Sequence, residues 1–297
     1  MNPMDRDADL SSEAVPRRPM ATFVLSTGRC GTQWLAWALA VAVGTHGRVE
    51  HEPLGDGYRP RLMLAGGAPE RLPAADRERI EAHLTTIENT LRDRDYYETG
   101  FPCWSALPVL LRRFAGRVRV VHLTRHPVPT AYSWQAHGAY VPPLLPYLRE
   151  KILLCPADAG VAFPEYAERW PSMRAFERGL YYWAEVHAFG LAMEKRTRAP
   201  WLRLGYEELF RGAGWERLVA FLGWPCPSGP QAALGEQVDR FRFHLLDWME
   251  PEAILRHPIV CDVARRLGYD PAAVDVTALR RRYRAGIAAG HVARNAS

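Results

Sequence analysis

Short, mainly apolar runs, each followed by a turn and then by a helical pattern, organise this chain. Phe23 to Leu25 leads through a turn at Ser26 to Gly31 into a segment that starts near Thr32 and carries Trp34, Leu35, Ala38, Leu39 and Val41 on one side. A brief apolar run without alternation is the pattern of a strand covered on both faces, and the spacing that follows is that of a helix lying on a sheet. Val118 to Thr124 repeats the arrangement, ending in Arg125-His126-Pro127 before a helix with Ala131, Tyr132, Ser133 and Trp134. A third instance runs from Leu202-Arg203-Leu204 through Gly205 into Tyr206-Glu207-Glu208-Leu209 and closes at Phe221-Leu222-Gly223.

Other elements fill the intervals. Asp76 to Arg94 spaces Ile80, Leu84, Ile87 and Leu91 as an amphipathic covering helix, Tyr96 to Thr99 reads as a short strand, and Leu107 to Phe114 as a helix. Pro171 to Lys195 is a long helix with a stripe of Phe176, Leu180, Trp183, Val186, His187 and Leu191. This alternation predicts an α/β, P-loop-like three-layer fold with a central parallel sheet flanked by helices. Gly44 to Gly57 reads as turn-rich and Tyr58 to Pro73 as a surface excursion. Residues 138–165, apolar and proline-rich, read either as a stiff connector or as a loop over the site. Residues 1–19, charged and proline-containing, are expected to be a disordered lead-in, with 20–297 forming one domain.

The turn at Ser26–Gly31 has the chemistry of an anion cradle, because backbone N–H groups and the positive end of a helix converge there. A Walker-type triphosphate loop would need a lysine in such a turn. The lysines of this chain, Lys151 and Lys195, lie elsewhere, and the cation in the turn is Arg29. Arg125 and Ser133 flank the second strand-to-helix turn, where a guanidinium fork and a hydroxyl can converge on one phosphate.

Composition changes this picture little. A formal charge of +5 suits an anionic nucleotide, while arginines scattered along the chain argue against nucleic acid as partner. The five cysteines (30, 103, 155, 226 and 261) show no Cys-x-x-Cys spacing, so neither a metal site nor a disulfide framework is expected. Cys30 reads as a small side chain filling a slot in the turn rather than as a phosphatase-like nucleophile. Arg17-Arg18 precedes an apolar run too short to span a bilayer, and export cleavage there would destroy the turn. A cytoplasmic protein without a membrane span is therefore expected.

Gly28-Arg29-Cys30-Gly31-Thr32, followed by Trp34-Leu35, resembles the loop by which sulfotransferases bind the 5′-phosphosulfate of 3′-phosphoadenosine 5′-phosphosulfate (PAPS). Arg125-His126-Pro127 with Ser133 looks like that family's 3′-phosphate clamp, and Tyr206-Glu207-Glu208-Leu209 is similar to its adenine-side turn. The three matches occur in the family's order from residue 22 to 223. The resemblance implies sulfuryl transfer from PAPS to a hydroxyl or amine, with Gly28, Arg29, Cys30, Gly31, Thr32, Gln33, Trp34, Arg125, Ser133 and Tyr206 on the nucleotide, Trp34 and Tyr206 against adenine, and no metal.

The acceptor side departs from the cytosolic pattern. Where cytosolic members have a Lys-Thr-His strand that supplies lysine and catalytic histidine, this chain has Glu98-Thr99-Gly100. Glu52-Pro53-Leu54 instead looks like the Glu-Pro element of carbohydrate-type and bacterial members, which makes Glu52 the first candidate for general base and His51 the second. Glu98 reads as a further acidic group or as the partner of an arginine. Arg280-Arg281-Arg282-Tyr283-Arg284 stands where some members carry an Arg-Lys-Gly loop, and reads as a solvated helix face or as its substitute. Two other classes stay open: a nucleotide-dependent phosphotransferase or kinase, and a nucleotide-binding protein without turnover. A small-molecule acceptor, hydrophobic or aromatic, is expected from the aromatic content. Its identity and the oligomeric state are not encoded in these patterns.

Overall fold

A computed structural model describes residues 18–66, 69–141, 152–210, 212–224 and 247–283. Five strands, β1 (Ala21–Leu25), β2 (Gly47–Glu50), β3 (Asp95–Glu98), β4 (Val118–Thr124) and β5 (Trp201–Gly205), form one all-parallel sheet in the order β2-β3-β1-β4-β5. The connecting helices are α1 (Thr32–Val43), α2 (Pro60–Gly66), α3 (Ala74–Thr90), α4 (Leu107–Arg113), α5 (Pro127–Ala136), α6 (Ala175–Arg196), α7 (Tyr206–Phe210), α8 (Ala213–Leu222) and α9 (Pro258–Arg266). This is the expected α/β arrangement of helices on both faces of a parallel sheet.

Successive residues of each central strand enter different layers, which is why the strands read as mainly apolar runs without strict alternation. Val24, Val121 and Leu204 pack with Leu35 and Leu39 of α1 and Leu218 of α8. Phe23, Leu25 and Val120 face the opposite way, toward Leu84 and Ile87 of α3, Leu110 of α4 and Val186 of α6. The chain leaves β1 toward one edge and β4 toward the other. The β1/β4 boundary is therefore the switch point of the sheet, where α/β proteins open a crevice at the strand ends.

Several expectations change. The turn-rich segment 44–57 contains β2, which pairs with β3 from Gly47↔Asp95 to Glu50↔Glu98. The excursion at 58–73 buries Tyr58, Met63 and Leu72 in the core, because α2 folds back onto the 3₁₀ turn Phe101–Ala106. Val41 is exposed, and Val43 takes its place inside α1. The long helix begins at Ala175, four residues later than read, where the Glu177 carboxylate accepts the Arg174 N–H at 3.0 Å. Of the expected lead-in, residues 1–17 lie outside the described residues, and the Pro19 carbonyl accepts a hydrogen bond from Arg117. Of the 138–165 loop, residues 142–151 lie outside them as well, while Ile152, Leu153 and Leu154 are core residues. Among the described residues, no helix is long and apolar enough to cross a membrane.

The stripe of α6 meets β4 through two fully buried histidines, His122 Nε2 and His187 Nδ1, 2.8 Å apart. Burial pushes His122 down from 6.5 to about 3 and His187 well below its ordinary value, so both are neutral in the fold. In the unfolded chain they take up protons below pH 6.5, so their linkage is absent above that value and drains stability as pH falls toward the folded values. Each contributes about 1.4 kcal/mol per pH unit once the unfolded chain holds its proton and the fold does not. Denaturant titrations between pH 4.5 and 7.5 should show a shallower decline for the double variant His122→Leu/His187→Leu than for the parent. Equal slopes would disprove the linkage.

Candidate active site

The loop after β1 is shaped by left-handed backbone at Gly28 (φ 75°), Arg29 (φ 58°) and Gly31 (φ 83°). Gly28 has no alternative, because a Cβ there would sit 3.0 Å from both Phe101 Cγ and Trp134 Cζ2. Arg29 adopts this conformation at a cost of about 1–3 kcal/mol for a residue with a side chain, and both of its ends are held. Its Nε donates to Ser133 Oγ at 3.0 Å, and its carbonyl accepts from Arg125 Nη1 at 2.9 Å. Ser26 Oγ accepts the Gly28 N–H, and the Trp134 indole N–H donates to the Thr27 carbonyl, so the loop is bonded within itself and to α5. Helix α1 then starts at Thr32 with no side-chain cap and no acidic residue in its first turn. Its positive end is left for an anion.

Cys30 is fully buried, and its thiol donates to the Gly28 carbonyl at 3.1 Å. Burial pushes its pKa up to about 11, against the pull of the Thr27 hydroxyl, so the thiol stays protonated and fills a slot. Thr32 is buried at the helix start and Gln33 is exposed. Trp34, expected against adenine, is 2% exposed and packs its ring 4.7 Å from that of Phe210 and 6.3 Å from that of Trp215. Its side chain belongs to the layer between α1 and α7–α8, since its position on α1 faces that layer.

Arg125 is buried at the end of β4, its carbonyl accepting the Trp183 indole N–H at 2.9 Å and its guanidinium lying 4.5 Å above the Tyr206 ring. Arg29, Arg125, Ser133 and Tyr206 thus form one cluster drawn from three strand-ending turns. Ser133 is bonded to the Arg29 side chain rather than to that of Arg125. The two cations therefore share the serine's neighbourhood through Arg29, a linkage the spacing of Arg125 and Ser133 does not show.

The acidic side of the site is delivered by β2, the strand missed in the sequence. Running beside β3, it carries His51 and Glu52 past the end of the sheet to Thr99 and Gly100, where the Thr99 N–H donates to the Glu50 carbonyl at 3.0 Å. A Cβ on Gly100 would lie 2.7 Å from Glu52 Cα and 2.8 Å from its Cγ. Glu52 thus fills the space that a side chain at position 100 would take. It also has left-handed backbone (φ 50°). Burial raises the Glu52 pKa, with the Arg29 charge opposing. Burial lowers that of His51, whose Nε2 stands 3.7 Å from Glu52 Oε1 and whose Nδ1 lies 3.1 Å from Thr99 Oγ1. Glu98 is fully buried beside His83 at 3.0 Å, not an arginine, and the Tyr96 hydroxyl, 3.2 Å away, has its shorter contact, 2.7 Å, with Glu50 Oε2. The side chain at 98 points into the layer covered by α3, where His83 lies.

A cavity of about 710 Å³ opens at the ends of β4 and β5, with Thr124, Arg125, Glu207, Tyr269 and Arg282 among its walls. Arg125 is the residue it shares with the cluster. The C-terminal arginines divide: Arg280 pairs with Glu250 at 2.8 Å, Arg282 faces the cavity, and Arg284 lies outside the described residues. Thr99, Gly100 and Phe101 complete the site and were not singled out as site residues in the sequence. Their signal is the departure of Glu98-Thr99-Gly100 from the family's pattern.

No protein-family model matches the chain, and no curated protein matches it in sequence. Among solved structures it is similar to the sulfotransferase domain from the curacin biosynthetic pathway, at 15% identity over 86% of this chain and 99% of that one, with a TM-score of 0.50. It is also similar to a sulfotransferase from Alicyclobacillus acidocaldarius (16% identity, 85% and 95% of the two chains, TM-score 0.49). A third is the sulfotransferase domain of the Synechococcus PCC 7002 olefin synthase (14%, 87% and 97%, 0.47). The curacin domain is matched over almost its whole length, so the likeness is one of complete architecture, and this chain is built on the sulfotransferase fold.

Proposed function

We propose that the protein transfers a sulfuryl group from PAPS to a hydroxyl or amine of a small acceptor, releasing adenosine 3′,5′-bisphosphate. The observation that carries this reading is the joining of the two phosphate turns at the β1/β4 switch point, through Arg29 Nε to Ser133 Oγ at 3.0 Å and Arg125 Nη1 to the Arg29 carbonyl at 2.9 Å. Beside them lies the uncapped start of α1. Two guanidiniums, a hydroxyl and an uncompensated helix end fit a ligand with phosphates at both ends of one nucleoside.

On this reading the amides of Gly28 to Gln33 and the Arg29 side chain hold the 5′-phosphosulfate, while Arg125 and Ser133 hold the 3′-phosphate and Tyr206 borders the adenine. PAPS supplies an activated sulfuryl group with a phosphate as leaving group. The protein supplies position and fixed charge: Arg29 and the loop amides meet negative charge developing on the leaving oxygen. Glu52 takes the acceptor proton. A carboxylate raised by burial is a better base than an exposed one, and Glu52 occupies the space over Gly100. His51, the second candidate, stands beside it.

Calorimetric titration separates this from nucleoside-triphosphate chemistry. Adenosine 3′,5′-bisphosphate should bind without Mg²⁺, AMP should bind at least about tenfold more weakly for lack of the Arg125–Ser133 contacts, and ATP with Mg²⁺ should not displace the bisphosphate. Metal-dependent ATP binding that excludes the bisphosphate would overturn the proposal.

A further inference from the structure

We propose that Thr99 and His51 are positioning residues for the Glu52 carboxylate, with the Thr99 hydroxyl fixing the His51 tautomer so that an N–H at Nε2 faces Glu52. The assignment rests on Glu52 being the base of the proposed transfer. Thr99 is fully buried, and its backbone is locked to β2 by its own N–H. Its hydroxyl has one proton and two acceptors in reach: His51 Nδ1 at 3.1 Å and the Glu50 carbonyl at 3.5 Å. The Glu50 contact is at the outer limit of a hydrogen bond, and that carbonyl already accepts the Thr99 N–H at 3.0 Å, so we assign the hydroxyl proton to His51 Nδ1. A hydroxyl that donates to Nδ1 leaves the imidazole proton on Nε2, the nitrogen 3.7 Å from Glu52 Oε1.

The consequence is directional. An N–H turned toward the carboxylate favours its ionised form, the form that accepts a proton. A bare nitrogen lone pair would disfavour it. The other groups that face Glu52 are Arg29 from the first loop, which favours ionisation, and Cys103 after β3 and Tyr182 on α6. Burial raises the pKa of both of the latter, so they stay neutral. His51 is thus the adjustable partner of the carboxylate, while Arg29 is the fixed one. The Glu52 backbone lies against Gly100, its Cα 2.7 Å from where a Cβ there would sit.

Two measurements test this. Nitrogen-15 NMR of the imidazoles in the ligand-free protein should show His51 as the Nε2-protonated tautomer in the parent and in Thr99→Ser, and a shift toward the Nδ1-protonated form in Thr99→Val. In turnover, the acid limb of the kcat/KM profile should move up by about half to one pH unit in Thr99→Val and stay in place in Thr99→Ser, with KM for PAPS unchanged. An Nδ1-protonated His51 in the parent, or an unmoved acid limb in a folded Thr99→Val protein, overturns the proposal. The NMR readout does not depend on turnover, so failure of sulfuryl transfer itself is distinguishable from failure of the positioning role.

Discussion

Replacing Glu52 by Gln is expected to lower kcat by roughly 10²- to 10⁴-fold while leaving the affinity for adenosine 3′,5′-bisphosphate within about twofold of the parent. The substitution keeps the size and shape of the side chain over Gly100 but removes the only oxygen pair at that position able to accept a proton. On the proposed reading the nucleotide is held by the loops after β1 and β4, which lie on elements other than the one that carries Glu52. The parent enzyme's pH profile adds a second check. Burial raises the Glu52 pKa, so kcat/KM should rise with pH through a midpoint above the ordinary carboxylate value of 4.5, held back from rising further by Arg29. A Glu52→Gln enzyme that keeps more than about a tenth of parental turnover would remove Glu52 as base.

Arg29→Ala is expected to cost about 3 kcal/mol of barrier, roughly a hundredfold in rate. The side chain bridges to Ser133, and on the proposed reading also meets the leaving-group oxygen, so its loss removes charge stabilisation and loosens the joint between the turns. Arg29→Lys separates these roles. It restores the charge but not the fork that reaches the serine and the ligand together, so it should recover only part of the lost rate. Arg29 also pulls the Glu52 pKa down, so the acid limb should move to higher pH in Arg29→Ala. Parental rates with an unmoved limb in Arg29→Ala would show that Arg29 plays no part in the chemistry.

How far the chain could be read follows from where each signal is encoded. β1 and β4 were legible because they are buried on both faces, which favours mainly apolar residues without strict alternation. The turn at 26–31 was legible because left-handed backbone and a helix start leave glycines at fixed offsets. β2 was not legible. It is an edge strand of four residues, Gly47-Arg48-Val49-Glu50, whose pairing is decided by β3 beside it and not by its own composition. Because β2 places His51 and Glu52, the acidic side could be named from resemblance but not located.

Trp34 and Glu98 show the same limit from the other direction. On α1 an aromatic three positions into the helix can face ligand or layer, and only the packing of Phe210 and Trp215 turns it inward. The histidine that accompanies Glu98 lies on α3, fifteen residues away in sequence. The sequence by itself determined the parallel α/β fold and the two strand-ending turns, since burial and backbone conformation leave their mark residue by residue. Only the tertiary structure decided that Arg29 reaches Ser133, that Glu52 takes the space above Gly100 and that Thr99 touches His51, because each contact joins side chains whose distance is set by how strands and helices pack.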